Sequence, residues 1–225
     1  IKNNLISFNM HNSIKKIPFL INQLKKGDSI ALVSDAGMPS ICDPGENLIQ
    51  KVRENNIDVI CIPGPCAALT ALVSSGFPSS SFIFLGFLPK KKKERDEILL
   101  KISNFDKTAI LYESPHRFKK LLTELKIICG GNRKIQVFRE LTKKYEEQIG
   151  ITIDAVISHF EDKNIMGEIT IVINGTNKTK TSEINEYALK KDLNELVDAG
   201  LTLSAASSYL AKKKNIKKNL IYNLY

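Results

Sequence analysis

The sequence predicts an α/β fold with mainly parallel strands, and three observations carry that prediction. Short apolar runs of strand length recur along the chain. Between them lie stretches whose apolar residues repeat every three or four positions, and Gly/Pro-rich loops punctuate the alternation. The 225 residues are 43% hydrophobic and 25% charged, which suits a buried core in one large domain or two smaller ones.

The elements follow in order. Ser13 to Lys26 places Ile14, Ile17, Leu20, Ile21 and Leu24 at helical spacing. Gly27-Asp28 turns into Ser29–Ser34, an apolar run of the buried-strand type. Pro44 to Asn55 reads as a helix, with Asp43 as N-cap and Pro44 at its first position. Asp58–Ile62 is a second strand, stopped by Pro63. Ala67–Ser75 is small and apolar on all sides, a buried helix that ends at Gly76. Ser81–Leu88 is a third strand. Composition then changes abruptly at Lys90-Lys91-Lys92-Lys93-Glu94-Arg95, so a boundary is placed here, with residues 1–86 as an N-terminal α/β domain and 87–176 as a second.

The second unit reads as a helix over Asp96–Asn104, a strand over Thr108–Tyr112 and a helix from Pro115 to Ile128. Strands near Ile135–Phe138 and Glu168–Ile173 follow, with a helix-prone stretch at Ile153–Phe160 between them. Asn174–Thr181 is polar and reads as a linker. The tail, 183–225, reads as short helices over Glu183–Asp198, Ser204–Lys212 and Lys217 to the end. With Lys212, Lys213, Lys214, Lys217 and Lys218 and no acidic residue after Asp198, it resembles a small nucleic-acid-binding helical module. A solvated helix face is the alternative.

Several function classes lose ground. The apolar stretch Val59–Pro89 is broken by Pro63, Gly64, Pro65, Gly76 and Pro78, which argues against a membrane span. Cys42, Cys61, Cys66 and Cys129 form no CxxC pair and no ligand-spaced cluster, so no metal site is expected and a reducing cytoplasm fits best. A net charge of +9 favours a polyanionic partner. The chain begins Ile1-Lys2-Asn3-Asn4 rather than with Met, and an N-terminal piece is expected to be absent.

Chemistry points to loops at the C-terminal ends of strands, where open α/β sheets bind ligands. The first runs Ser34-Asp35-Ala36-Gly37-Met38-Pro39-Ser40-Ile41-Cys42-Asp43-Pro44-Gly45. The second is Pro63-Gly64-Pro65-Cys66-Ala67-Ala68-Leu69-Thr70-Ala71. Glycine and small residues let backbone approach a ligand, and the helix after each loop offers unpaired N–H groups. Neither loop matches a dinucleotide or P-loop fingerprint; plain connection is the alternative. A third loop, Tyr112-Glu113-Ser114-Pro115-His116-Arg117-Phe118, gathers a carboxylate, an imidazole and a guanidinium at a strand-to-helix junction. Its bland reading is an N-cap at Ser114, with His116 and Arg117 solvated. A fourth segment, Arg139 to Glu147, mixes both charge signs and reads as a salt-bridged surface.

The order SDAGMPSICDPG, PGPCAALTALVSSGFP, FLGFLP, ILYESPHRF, FRELTKKYEE and GEITIVI resembles the small-subunit ribosomal RNA methyltransferase I family, within the tetrapyrrole-methylase superfamily. The resemblance runs from about residue 5 to the end and takes in the tail VDAGLTLSAASSYLAKKKNIKKNLIY. It implies a two-domain fold with S-adenosylmethionine in the cleft between domains, a small C-terminal helical module, and a homodimer. By resemblance, Asp35, Ala36, Gly37, Met38, Ile41, Cys66 and Ala67 lie along the methyl donor, and Glu113, Leu141 and Gly167 match further donor contacts. The family normally opens with a strand and a PIGN-type loop, which this chain lacks.

The implied reaction is 2′-O-methylation of a cytidine in the decoding region of 16S rRNA, on free rRNA or the assembled subunit, without a metal. A 2′-hydroxyl must lose its proton, and Glu113 and His116 are the candidate bases. Arg117, Lys90, Lys91, Lys92, Lys212 and Lys213 are the candidate RNA contacts. The rivals are a precorrin-type tetrapyrrole methyltransferase and a non-catalytic rRNA-binding assembly protein.

Overall fold

A computed structural model describes residues 4–176, 186–214 and 217–225. The chain divides into two compact units, residues 1–175 and 176–225. Among the described residues, no helix is long and apolar enough to cross a membrane.

The first unit opens with α1 (Ser13–Lys25) and α2 (Glu46–Glu54), which bury Ile17, Leu20 and Ile21 against Leu48 and Val52. The second helix starts later than the sequence predicts: Gly45, not Asp43, is its N-cap. The turn-rich segment before it, with Ser40 and Cys42 at positive φ, holds Pro44 outside the helix. The expected strands at Ser29–Ser34 and Asp58–Ile62 are not strands. Both segments lack a ladder partner among the described residues, and Val33, Ile60 and Ile62 are 77%, 83% and 76% exposed. A strand needs a second backbone to take its N–H and C=O groups, and apolar composition cannot supply one.

Helix α3 (Ala67–Ser75) forms and ends at left-handed Gly76 as expected, but it is buried on one face only, with Leu69 and Val73 exposed on the other. The chain then builds one five-stranded sheet from β1 (Phe82–Phe87), β2 (Thr108–Glu113), β3 (Lys134–Arg139), β4 (Glu147–Thr152) and β5 (Ile169–Ile173), in the order β1-β2-β5-β3-β4. The β1–β2 pair is parallel and the other three pairings are antiparallel. The sheet is therefore mixed rather than mainly parallel. The expected boundary at 86/87 falls inside β1, which is an edge strand of this sheet.

Helices α4 (Lys92–Asn104), α5 (Pro115–Cys129) and α6 (Ile153–Phe160) supply the larger core. Leu99, Ile102, Phe118, Leu121, Leu125, Val156 and Phe160 pack on Leu111, Ile135, Val137, Ile171 and Ile173. Helix α4 begins four residues before Asp96, drawing the basic segment into its first turns. On the opposite face, α3 buries Ala68, Ala71 and Leu72 against Ile110, Phe138 and Val172. β4 was not expected. Its edge position leaves it few apolar residues, and Gly150 lets it approach β3, where an added Cβ would meet the Ile135 carbonyl at 2.5 Å.

In the second unit, α7 (Glu186–Asp198), α8 (Leu203–Lys214) and α9 (Lys218–Tyr222) enclose Leu189, Leu193, Ala206, Leu210 and Ile221. Thr202 caps α8 through the Ala205 N–H at 3.3 Å. Residues 183–185 of the expected first tail helix, and 177–181 of the expected linker, lie outside the described residues.

Candidate active site

Four segments meet on the α3 face at one end of the sheet. Ser34 Oγ donates to the carbonyls of Ala36 and Gly37 at 3.2 and 3.0 Å, curling the first loop. Gly37 takes φ +74°, and an added Cβ would lie 3.4 Å from the Pro65 carbonyl; one on Gly64 would lie 3.4 Å from Met38 Cγ. The first and second loops thus run side by side at close range. β1 closes against them, since a Cβ on Gly86 would come 2.8 Å from Cys42 Sγ.

Tyr112 joins β2 to this group. Its hydroxyl accepts the Ala68 N–H at 3.0 Å, at the start of α3. Its ring packs edge-on against Phe84 and Phe87, at centroid distances of 5.0 and 5.6 Å. Burial first, and then the neighbouring Cys66 thiol, push the phenol up to about 12, so it is a neutral hydroxyl across the physiological range. Leu141 packs into the same cluster beside Cys66 and Tyr112.

Ile41 and Leu141 share an unusual backbone. Each stands between two left-handed residues that are not glycine: Ser40 (φ 69°) and Cys42 (φ 61°), and Glu140 (φ 53°) and Thr142 (φ 64°). Such residues cost on the order of 1–3 kcal/mol each and collect where a site over-determines its geometry. Around Leu141 the compensation is visible. The Glu140 carboxylate accepts the Glu168 N–H at 2.8 Å and pairs with Lys143 at 3.0 Å, while the Thr142 N–H donates to Glu146 at 2.8 Å. The Glu168 N–H, and then Lys143, hold the Glu140 carboxyl below its ordinary value. Gly167 (φ +87°) packs on Glu140, where a Cβ would meet the carboxylate carbon at 2.5 Å.

Glu113 is not brought into this group. Side chains alternate along a strand, so Ile110 and Tyr112 face α3 while Leu111 and Glu113 face α4 and α5. The Glu113 side chain is 0% exposed and pairs with Arg95 and Arg117, each at 3.3 Å; its other bond is from the Ser114 N–H at 2.9 Å. Arg95 also binds Glu124 at 2.8 Å, and its Nη2 is buried without a partner among the described residues. Arg117 spends its Nη2 on the carbonyls of Leu88 and Pro89, at 2.7 and 3.4 Å, bracing the exit from β1.

The remaining expected residues lie on the surface. His116 is exposed on the first turn of α5, next to this ion cluster, and Lys90, Lys91 and Lys92 are exposed where α4 begins. Lys212 and Lys213 are exposed on α8, where Lys213 Nζ stands 5.7 Å from the Tyr209 ring centroid. Asp35, Ala36, Gly37 and Ala67 are exposed along the two loops, with Met38 and Cys66 half-buried. Sequence reasoning passed over Tyr112, although the alternation in Thr108–Glu113 already set it opposite Glu113. It also missed Arg95 as a buried ion, which nothing in a run of basic residues sets apart.

The fold belongs to the methylase class. Residues 5–156 match the family of Tetrapyrrole (Corrin/Porphyrin) Methylases. The crystal structure of the methyltransferase CobJ superposes with a TM-score of 0.55 at 16% identity, covering 78% of this chain and 74% of CobJ. That of cobalt precorrin-4 methyltransferase, CbiF, gives 0.53 at 15% identity over 72% and 70%. At these identities the likeness is one of fold.

Sequence relatives narrow the class. Ribosomal RNA small subunit methyltransferase I of Synechocystis is 39% identical over 219 residues, 97% of this chain and 78% of the relative. Those of Vibrio cholerae and Bacillus subtilis are each 38% identical, covering 94% and 98% of this chain and 74% and 77% of theirs. This chain belongs to the ribosomal RNA small subunit methyltransferase I family.

Proposed function

We propose that this chain transfers a methyl group from S-adenosylmethionine to the ribose 2′-oxygen of a cytidine in small-subunit rRNA. The observation that carries this reading, beside family membership, is the convergence of the Asp35–Cys42 loop, the Pro63–Ala67 loop and Leu141 around Tyr112. The cradle suits such a donor. Gly37 and Gly64 bring main chain to its wall, and Met38, Ile41 and Leu141 supply apolar surface. In the working enzyme the cleft lies between the parts before and after the 86/87 boundary, the protein is a cytoplasmic homodimer, and the tail beyond residue 183 contacts RNA.

When bound, the donor supplies a methyl on a positively charged sulfur that departs without help from a metal. The protein's own share is alignment and proton transfer. His116, exposed on the first turn of α5, accepts the proton of the 2′-hydroxyl. Glu113 is committed to two guanidinium groups and acts as a positioning residue. It fixes Ser114 and Arg117, and through them the first turn of α5 that carries His116. Arg117 braces the Leu88–Pro89 exit instead of holding a phosphate, while Lys90, Lys91, Lys92, Lys212 and Lys213 meet the RNA backbone. Reading a 2′-hydroxyl makes RNA the substrate rather than DNA.

The test is incubation with methyl-labelled S-adenosylmethionine and small ribosomal subunits that lack the modification. Label at a single alkali-resistant linkage is the expected result. Absence of label, with donor and subunit both shown to bind, would overturn the assignment.

A further inference from the structure

The loop that holds Leu141 forms one wall of an open cleft of about 650 Å³ on the other side of Arg139. Arg139, Lys144, Tyr145, Phe160, Lys163 and Met166 line it, and its volume falls within the range of ligand sites. The sheet fixes where it lies. Glu113 pairs with Ile169, Ile169 with Arg139, and Arg139 with Glu147, so these residues form one row across four adjacent strands. At about 4.8 Å per strand, the row places the cleft on the order of 10–14 Å from Glu113, on the same sheet end and the same face.

The lining is built for a flat, partly polar ring. Tyr145 is 64% exposed, and Lys144 Nζ stands 5.5 Å from its ring centroid. Phe160 and Met166 supply apolar surface, and Asn164 offers a donor and an acceptor. Charge in the cleft is largely cancelled. Glu147 takes Arg139 at 2.9 Å, His159 at 3.0 Å and Lys163 at 3.6 Å. Lys144 makes no ion pair among the described residues, which leaves it able to meet one phosphate. A strong anion site would keep its cations unpaired; this cleft pairs Arg139 and Lys163, leaves Lys144 alone unpaired among the lining cations described, and exposes a ring.

We propose that this cleft takes one unpaired nucleoside of the substrate RNA, with its base stacked on Tyr145 and its phosphate on Lys144. Single-stranded RNA is commonly read in this way, by bases splayed onto aromatic rings. The inference rests on the function proposed above, and the experiment separates the two.

The test compares the parent chain with Tyr145→Ala and Tyr145→Phe. Binding of a fluorescein-labelled single-stranded oligocytidylate RNA is read by anisotropy, alongside methyl transfer to unmodified subunits and sedimentation. Tyr145→Ala is expected to weaken RNA binding about 5- to 150-fold and to raise KM for subunits, with donor affinity unchanged. Tyr145→Phe, which keeps the ring, is expected to bind as the parent does. The proposal is overturned if the parent fails to bind the oligonucleotide, if Tyr145→Ala binds within twofold of it, or if Tyr145→Phe loses as much as Tyr145→Ala. It is equally overturned if Tyr145→Ala splits a dimer while RNA affinity holds, which would make the cleft an interface between copies. Ring-dependent RNA binding without any methyl transfer would sustain the cleft and sink the functional reading.

Discussion

Glu113→Gln separates a structural carboxylate from a catalytic one. The substitution keeps the volume and the bond from the Ser114 N–H but removes the negative charge between Arg95 and Arg117. Breaking a buried ion pair costs about 3–5 kcal/mol, because the surviving charge stays buried. Arg95 retains Glu124 at 2.8 Å, and the Arg117 side chain is 26% exposed, so the lower end applies, about 3 kcal/mol. At roughly 2–4 °C per kcal/mol for a chain of this size, the melting temperature should fall by about 6–12 °C. Circular dichroism melts measure this directly. Methyl transfer assayed well below the melt should persist, with donor affinity close to the parent's. A variant that melts within 2 °C of the parent yet transfers no methyl would refute the reasoning, since that is the signature of a base.

Other consequences are as specific. Tyr112→Phe leaves the Ala68 N–H without its acceptor, at a cost of about 0.5–1.5 kcal/mol, and should weaken donor binding about 2- to 10-fold by calorimetry while leaving kcat at saturating donor unchanged. The same variant should remove a phenol titration step near pH 12. A raised phenol favours the fold while protonated, so that contribution is complete below the ordinary value of 10 and is lost as pH rises through about 12. Thr142→Gly relieves a β-branched residue held at φ 64° and should raise the melting temperature by about 2–4 °C, net of the glycine's added chain entropy. The Glu140 carboxyl is depressed, so its contribution is complete above the ordinary value of 4.5 and lost as pH falls through the lower, folded value. In Glu140→Gln the melting temperature should depend less steeply on pH in that acid range.

Elements that specify themselves locally were legible. Helix α5 announces its buried stripe through Leu121, Leu122 and Leu125, α3 announces its end through Gly76, and β5 is apolar but for Thr170 and buried throughout. What depends on a partner was not. Ser29–Ser34 reads as a strand and has no ladder among the described residues, whereas Glu147–Thr152 reads as polar and is a strand, because pairing is decided by the neighbouring backbone. Strand direction was misjudged for the same reason: alternation of helix and strand suggests crossovers but does not fix which edge each strand joins. At the site, the loops flanking Gly37 and Gly64 were visible through their glycines. The left-handed turns around Ile41 and Leu141 were not, since Ser40, Cys42, Glu140 and Thr142 carry no residue-type signal for that conformation.

The pleat of β2 separates two properties that sequence places side by side. Positions in contact ordinarily couple when both are changed, yet Tyr112 and Glu113 touch different layers and share no side-chain partner among the described residues. Two adjacent codons therefore act on separate structures, one on the start of α3 and one on the buried ion cluster beneath α5. A lineage moving to a warmer or colder habitat can retune the second while the first stays fixed.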